Sequence, residues 1–191
     1  MTALDQVRRV LASRPGVADH DPAARPAAVA VILHEAADGI SALFIKRSEQ
    51  VGDPWSGQIA FPGGRYEPGD GDLLSTAIRE AREETGIDLA PAEMLGALDD
   101  VNPRSPQLPP IVVRPYVFAV RERPALVPSP AEVQRGFWIP FKTLIDPATS
   151  SQITLTFNGV PRTFTAYKVD GEVIWGMTER ILRLFLERIT A

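Results

Sequence analysis

The chain has 191 residues, 45% of them hydrophobic, with 20 basic against 24 acidic side chains and a net charge of −4. It has no cysteine and only two histidines, His20 and His34. That excludes disulfides, thiolate metal sites and a cysteine nucleophile, and it disfavours a histidine-based zinc site or catalytic triad. No apolar run approaches the ~20 residues of a membrane helix, and no basic run marks a nucleic-acid or lipid surface. The expectation is a cytoplasmic protein acting on a small molecule, with no nucleic-acid or membrane partner.

Leu4, Val7, Val10 and Leu11 share one helical face and predict a short opening helix, ended by Arg14-Pro15-Gly16. A Pro/Ala-rich link runs on to Pro26. Residues 28–33 and 42–46 read as strands separated by a turn at Asp38-Gly39. Residues 48–60 read as a loop rich in Gly, Pro and Ser, leading through Ile59-Ala60-Phe61 into Gly63-Gly64. A helix is expected from an Asp72 cap to a stop at Gly86.

Residues 94–98, 111–120 and 137–139 read as further strands, and a short helix is expected over 141–145. The Pro-rich stretch 102–110 is long enough to be a functional loop. Residues 153–157 and 162–168 form a predicted hairpin turning at Asn158-Gly159. Thr178 is expected to cap a last helix with the stripe Ile181, Leu182, Phe185, Leu186 and Ile189. Mixed strands and helices without βαβ regularity predict a mixed α/β sheet with helices on both faces. One domain is expected over residues 1–191: an N-terminal helix and linker (1–26), a core (27–145) and a C-terminal hairpin and helix (146–191). A chain this long buries about 70% of its unfolded surface.

The 63–87 stretch, GGRYEPGDGDLLSTAIREAREETGI, carries the chemistry. Leu74, Ala77, Ile78 and Ala81 recur at i, i+3, i+4, i+7 and should pack on a core. The other edge sets Glu80 beside Glu83 and Glu84, three carboxylates that repel unless a hard cation such as Mg2+ or Mn2+ lies between them. Glu80 and Glu84 are the first choice of metal ligands and Glu83 the third. Arg79 stands four residues before Glu83 and is expected to pair with it, orienting the carboxylate. Asp70 either ties the loop to the helix or touches metal. Arg47, Arg65 and Arg104 are candidates for holding substrate phosphates, while Trp138 and Trp175 are expected to be packing residues.

Gly64 followed by Arg79-Glu80-Ala81-Arg82-Glu83-Glu84-Thr85-Gly86-Ile87 resembles the signature of the Nudix hydrolases. Asp70 stands where that signature has Glu, and eight residues rather than seven separate it from Arg79. Both departures are similar to the coenzyme A pyrophosphatase branch, whose upstream pattern is matched by Leu43, Arg47, Ser48, Gly57 and Phe61-Pro62-Gly63-Gly64. Phe44-Ile45 replaces Leu-Thr in that pattern. No Arg lies between Arg47 and Gly57, and one extra residue separates them.

The resemblance implies an α/β/α sandwich and hydrolysis of coenzyme A and its derivatives to 3′,5′-ADP and 4′-phosphopantetheine. It adds the backbone carbonyl of Gly64 to the metal set, while glycine at 63 and 64 lets backbone approach cation and phosphate. It also nominates an acidic residue before the last core strand, here Glu132, as general base, with Glu84 as the other possibility. The alternatives are an ADP-ribose or dinucleotide pyrophosphatase of the same family, or a Nudix module that binds a nucleotide without turnover.

Overall fold

The structure is a computed structural model describing residues 2–53, 55–103, 109–157 and 159–190. Arg104 and Asn158, singled out above, lie outside the described residues, as does most of the 102–110 loop.

The first helix, α1 (Ala3–Ser13), opens with a reciprocal cap. The Thr2 hydroxyl accepts the Asp5 N–H and the Asp5 carboxylate accepts the Thr2 N–H. Its Val7 and Leu11 are buried against the sheet. β1 (Arg25–Ala36) and β2 (Gly39–Arg47) then form an antiparallel hairpin. β1 is the spine of the sheet, pairing in parallel with β6 (Ile111–Val120) along ten residues. Its side chains alternate between two cores: Ala27, Val31 and Leu33 enter one, Ala28, Ala30 and Ile32 the other. Burial on both faces explains why the sequence reads as an unbroken apolar run.

β1 and β2 pair only over residues 33–36 and 39–42, then diverge. The fork is filled by β3 (Ile59–Ala60), which pairs with β2, and β4 (Gly63–Arg65), which pairs with β1. The Ala30 N–H donates to the Pro62 carbonyl at 2.8 Å and stitches the turn into the fork. The residues expected as a loop end and a diglycine bend are thus short strands, because splayed backbone on both sides offers them hydrogen-bonding partners.

α2 (Leu73–Thr85) begins where the Asp72 carboxylate accepts the Ser75 N–H and ends at left-handed Gly86. It lies on the sheet through Ala77 and Ala81, both fully buried, opposite Ala28 and Ala30. Small residues on both sides let the helix approach closely. β5 (Glu93–Ala97) pairs with β6, and β7 (Val133–Pro140) pairs with β2. The mixed sheet therefore runs β3-β2-β1-β6-β5.

α3 (Phe141–Leu144) leads to a second antiparallel sheet of β8 (Ser150–Phe157), β9 (Val160–Val169) and β10 (Glu172–Trp175). α4 (Gly176–Thr190) returns across the main sheet, placing Ile181, Leu182 and Phe185 in the core shared with α1. Helices therefore cover both faces, as the sequence predicts.

β10 was not expected, and Thr178 is not the cap of α4. Strand pairing runs through Trp175, and Gly176, at φ +68°, turns the chain straight into the helix, leaving Thr178 inside the first turn. Glu172 joins the two sheets, accepting from Lys46 at 2.9 Å and Arg135 at 2.6 Å. Trp175 packs on Phe164, and Trp138 lies edge-on to His34 with Arg123 over its ring. Among the described residues no helix is long and apolar enough to cross a membrane.

Ala81→Leu should overfill the seam between α2 and the sheet, costing about 1–3 kcal/mol. Urea unfolding is expected to show a lower midpoint with an unchanged slope; an unaltered midpoint would mean the seam is looser than described.

Candidate active site

The single helical turn at Pro68–Asp70 places Asp70 beside α2. There its carboxylate is 5% exposed and accepts from Arg79 Nε at 2.7 Å and Arg79 Nη2 at 3.1 Å. The Thr76 hydroxyl (2.8 Å) and Glu67 N–H (2.9 Å) add two further donors. Arg79, with the other donors, holds this carboxyl well below the usual carboxylate range. Asp70 thus fixes the loop to the helix. Arg79 also donates to the Arg65 carbonyl at 3.1 Å and, through Nη1, to Glu80 and Glu83 at 2.9 Å each.

The helical spacing sends the neighbouring carboxylates to different surroundings. Glu84, its side chain 3% exposed, turns under the fork and accepts the Gly63 N–H at 2.9 Å, with Arg47 Nη1 3.6 Å away. Burial pushes its carboxyl up to about 8, the Gly63 N–H and Arg47 offsetting part of the effect and the charges of Glu80 and Glu132 adding to it. Glu80 is half-shielded beside Gly64, where a Cβ would overlap its carboxylate. Its carboxyl is raised by burial, against the pull of Arg79 and with the push of Glu83 and Glu132. Glu83 is more than half exposed and faces Arg79 rather than the other two.

Glu132 is exposed at the turn before β7, and its carbonyl accepts the Ser48 N–H at 2.8 Å. Its charge is felt by both Glu80 and Glu84. Arg47, at the end of β2, donates to Asp53 at 3.1 Å, while its Nε is buried with no hydrogen-bond partner among the described residues. Arg65 is exposed on β4.

A hard cation fits this donor set in part. Glu84 meets the Gly63 N–H and Glu80 lies against Gly64, and a buried, incompletely paired carboxylate is what a divalent ion compensates. Magnesium characteristically takes one or two carboxylates and fills its other positions with water and phosphate. No three acidic or histidine side chains among the described residues converge on one point. Glu83 instead pairs with Arg79 at the exposed edge of the helix.

Arg47, Gly63 and Gly64 also border a cavity of about 350 Å³ between the fork and α4, whose lining includes Trp55, Val113 and Met177. The sequence reading did not single out Trp55, and Met177 entered it only within the helix start at 174–178, which resembles the coenzyme A branch. A tryptophan in a Gly/Pro/Ser-rich loop, where it has little core to enter, was the available signal.

The NUDIX domain profile matches residues 24–157. This chain belongs to the NUDIX domain family. It is 29% identical over 134 residues to an uncharacterized Nudix hydrolase NudL of Photorhabdus laumondii, covering 70% of each chain. Against a NudL of Yersinia pestis the identity is 31% over 138 residues, covering 71% of this chain and 66% of the relative. The Nudix fold is shared with a MutT/nudix family protein from Enterococcus faecalis, with a TM-score of 0.55 and 20% identity over 90% of this chain and 64% of the other. It is also shared with the NUDIX domain of Shewanella oneidensis NrtR, a structure complexed with ADP ribose, at a TM-score of 0.52 and 23% identity. That match covers 66% of this chain and 82% of the NrtR domain. In this Nudix domain the Arg-Glu…Glu-Glu helix is α2, and the diglycine is β4 in the fork.

The raised Glu84 carboxyl sets a pH dependence. A folded-state value of about 8 against an ordinary 4.5 means the folded protein holds a proton that the unfolded chain has released. The resulting stabilisation is full below about 4.5 and is lost as pH rises to about 8, with Glu80 acting in the same direction. In chelator, the melting temperature of this Nudix domain should fall from pH 5 to pH 8. Glu84→Gln should flatten that slope; an unchanged slope in the variant would place the titrating group elsewhere.

Proposed function

We propose that the protein is a divalent-metal-dependent pyrophosphohydrolase of coenzyme A and its derivatives, releasing 3′,5′-ADP and 4′-phosphopantetheine. The observation that supports it is the buried Glu84 carboxylate held between the Gly63 N–H and Arg47, with Glu80 beside it against Gly64. The coenzyme A assignment rests on Leu43, Arg47, Ser48, Gly57 and Asp70 in their branch-like positions. In this reading residues 1–191 work as one domain in the cytoplasm.

Glu80, Glu84 and the Gly64 carbonyl would hold Mg2+ or Mn2+, with Glu83 taking a further position once turned from Arg79. When bound, the ion supplies charge neutralisation at the phosphate oxygens and polarises water. The remaining work belongs to side chains. Arg79 orients Glu80 and Glu83 and locks the helix to the 65–70 loop. Arg47, with its unpaired Nε, and the exposed Arg65 hold phosphate oxygens. Water oxygen attacks phosphorus, the P–O–P bond breaks, and the water's proton passes to Glu132. Glu132 is the better base because Glu84 facing a cation is a poor one.

An ADP-ribose or dinucleotide substrate is the second reading, favoured by the absence of an Arg between Arg47 and Gly57. Retention of Arg79, Glu80, Glu83 and Glu84 argues against a module that only binds.

Glu80→Gln and Glu84→Gln should each lower kcat on the order of 100-fold with melting behaviour intact in chelator near pH 5. Arg79→Ala should weaken metal binding about 10–100-fold. Product separation after incubation with coenzyme A, ADP-ribose and a dinucleotide polyphosphate tests specificity. Coenzyme A turning over slowest by a wide margin would overturn the substrate assignment, and normal turnover in both Gln variants would overturn the site.

A further inference from the structure

We infer that the cavity lined by Trp55 and Met177 seats the uncharged arm of the diphosphate substrate, a slender chain of alkyl and amide groups, and that these two residues set the preference for it. The inference rests on the pyrophosphohydrolase reading and names the part of the substrate this chain selects.

The cavity and the carboxylate site share residues. Gly63 donates its N–H to Glu84 and Arg47 lies against it, yet both also border the cavity. A diphosphate lying across the Arg47 and Gly63-Gly64 edge therefore has one substituent directed inward. The cavity, about 350 Å³, is large enough for such an arm, since small-molecule sites run roughly 300–1,000 Å³. Its inner wall is hydrocarbon: Phe61, Val113 and Ile181 are each at most 3% exposed, and Met177 adds a thioether.

The cavity's charged lining residues, Arg47, Asp53 and Arg65, belong with the diglycine edge, where Arg47 donates to Asp53, and the Gln50 amide donates to the Ala131 carbonyl. A ribose or a second phosphate pushed into this wall would leave hydroxyls or charges without partners, which is costly. An alkyl-amide chain carries no charge into that wall and loses little there. The arginine side, by contrast, suits the phosphorylated nucleoside half, with Arg65 exposed beside the diglycine.

Met177, Thr178 and Ile181 come from the first turns of α4, outside the 24–157 segment that matches the family. Part of the wall is thus supplied from outside the matched segment, and we place selectivity there rather than in the carboxylate helix.

Two measurements test this. Dephospho-coenzyme A and ADP-ribose share an ADP half and differ in the other arm. Met177→Asp should shift the ratio of their kcat/KM values about 10-fold against the former, mainly through KM, and Met177→Leu should restore it. An unshifted ratio overturns the inference.

Separately, tryptophan fluorescence is titrated with pantetheine and with adenosine. Pantetheine should give a saturable change that is lost in Trp55→Phe, because Trp138 and Trp175 pack elsewhere. No response to pantetheine, or a response to adenosine alone, overturns the inference. This titration needs no turnover, so it decides the question even if neither diphosphate is hydrolysed, an outcome that would instead sink the pyrophosphohydrolase reading. It also decides if Met177→Asp fails to fold.

Discussion

A single backbone amide meeting a buried carboxylate organises this protein: the Gly63 N–H on Glu84. For that bond to form, a strand must end inside the sheet, a helix must lie close over it, and no side chain can intervene. The β1–β2 fork meets the first condition, the Ala77 and Ala81 seam the second, and the diglycine the third. A Cβ at Gly63 would overlap the Ala28 carbonyl and Val29, and one at Gly64 the Glu80 carboxylate. Backbone geometry, not side-chain reach, thus sets how near the acidic edge comes to the loop.

The charges around that contact divide into a braced half and an unsettled half. Asp70 is saturated by Arg79, Thr76 and the Glu67 amide, so it stays ionised and rigid. Glu84 and Glu80 are desolvated with too few donors, and each repels the other and Glu132. A structure built only for stability would pair or replace these groups, since removing partners from buried charge is expensive. The rigid half positions the unsettled half, and perturbed carboxylates grouped beside a cavity are a recognised mark of functional sites.

Much of the frame was legible in the sequence because its signals are local. The Asp72 cap, the Gly86 stop, the apolar stripe of α2 and the β6 run are each decided by neighbours within a few residues. What escaped depends on distant partners. β3 and β4 are two and three residues long and exist only because β1 and β2 splay to receive them. β10 exists because β9 offers an edge, and that pairing moved the start of α4 ahead of Thr178. Spacing placed Glu80, Glu83 and Glu84 on one edge, but their separation into one buried, one half-shielded and one exposed group follows from the fork and from Arg79. The cavity wall joins Trp55 to Met177, 122 positions later in the chain, a juxtaposition no local pattern encodes.

The fork also decouples two kinds of variation. β2 and β3 are tied to each other by the Ile45–Ala60 and Lys46–Ile59 pairs, so the segment between Arg47 and Ile59 leaves and re-enters the sheet at anchored ends. Lengthening it by one residue, as the Arg47-to-Gly57 spacing does relative to the coenzyme A pattern, need not transmit any shift to the diglycine. Loop closure grows only slowly more costly with added residues. The cavity-lining segment can therefore change, and with it the choice of ligand, while the acidic helix stays in register. The Ser48 and Gln50 contacts to residues 130–132 meanwhile keep the segment tied to the turn before β7.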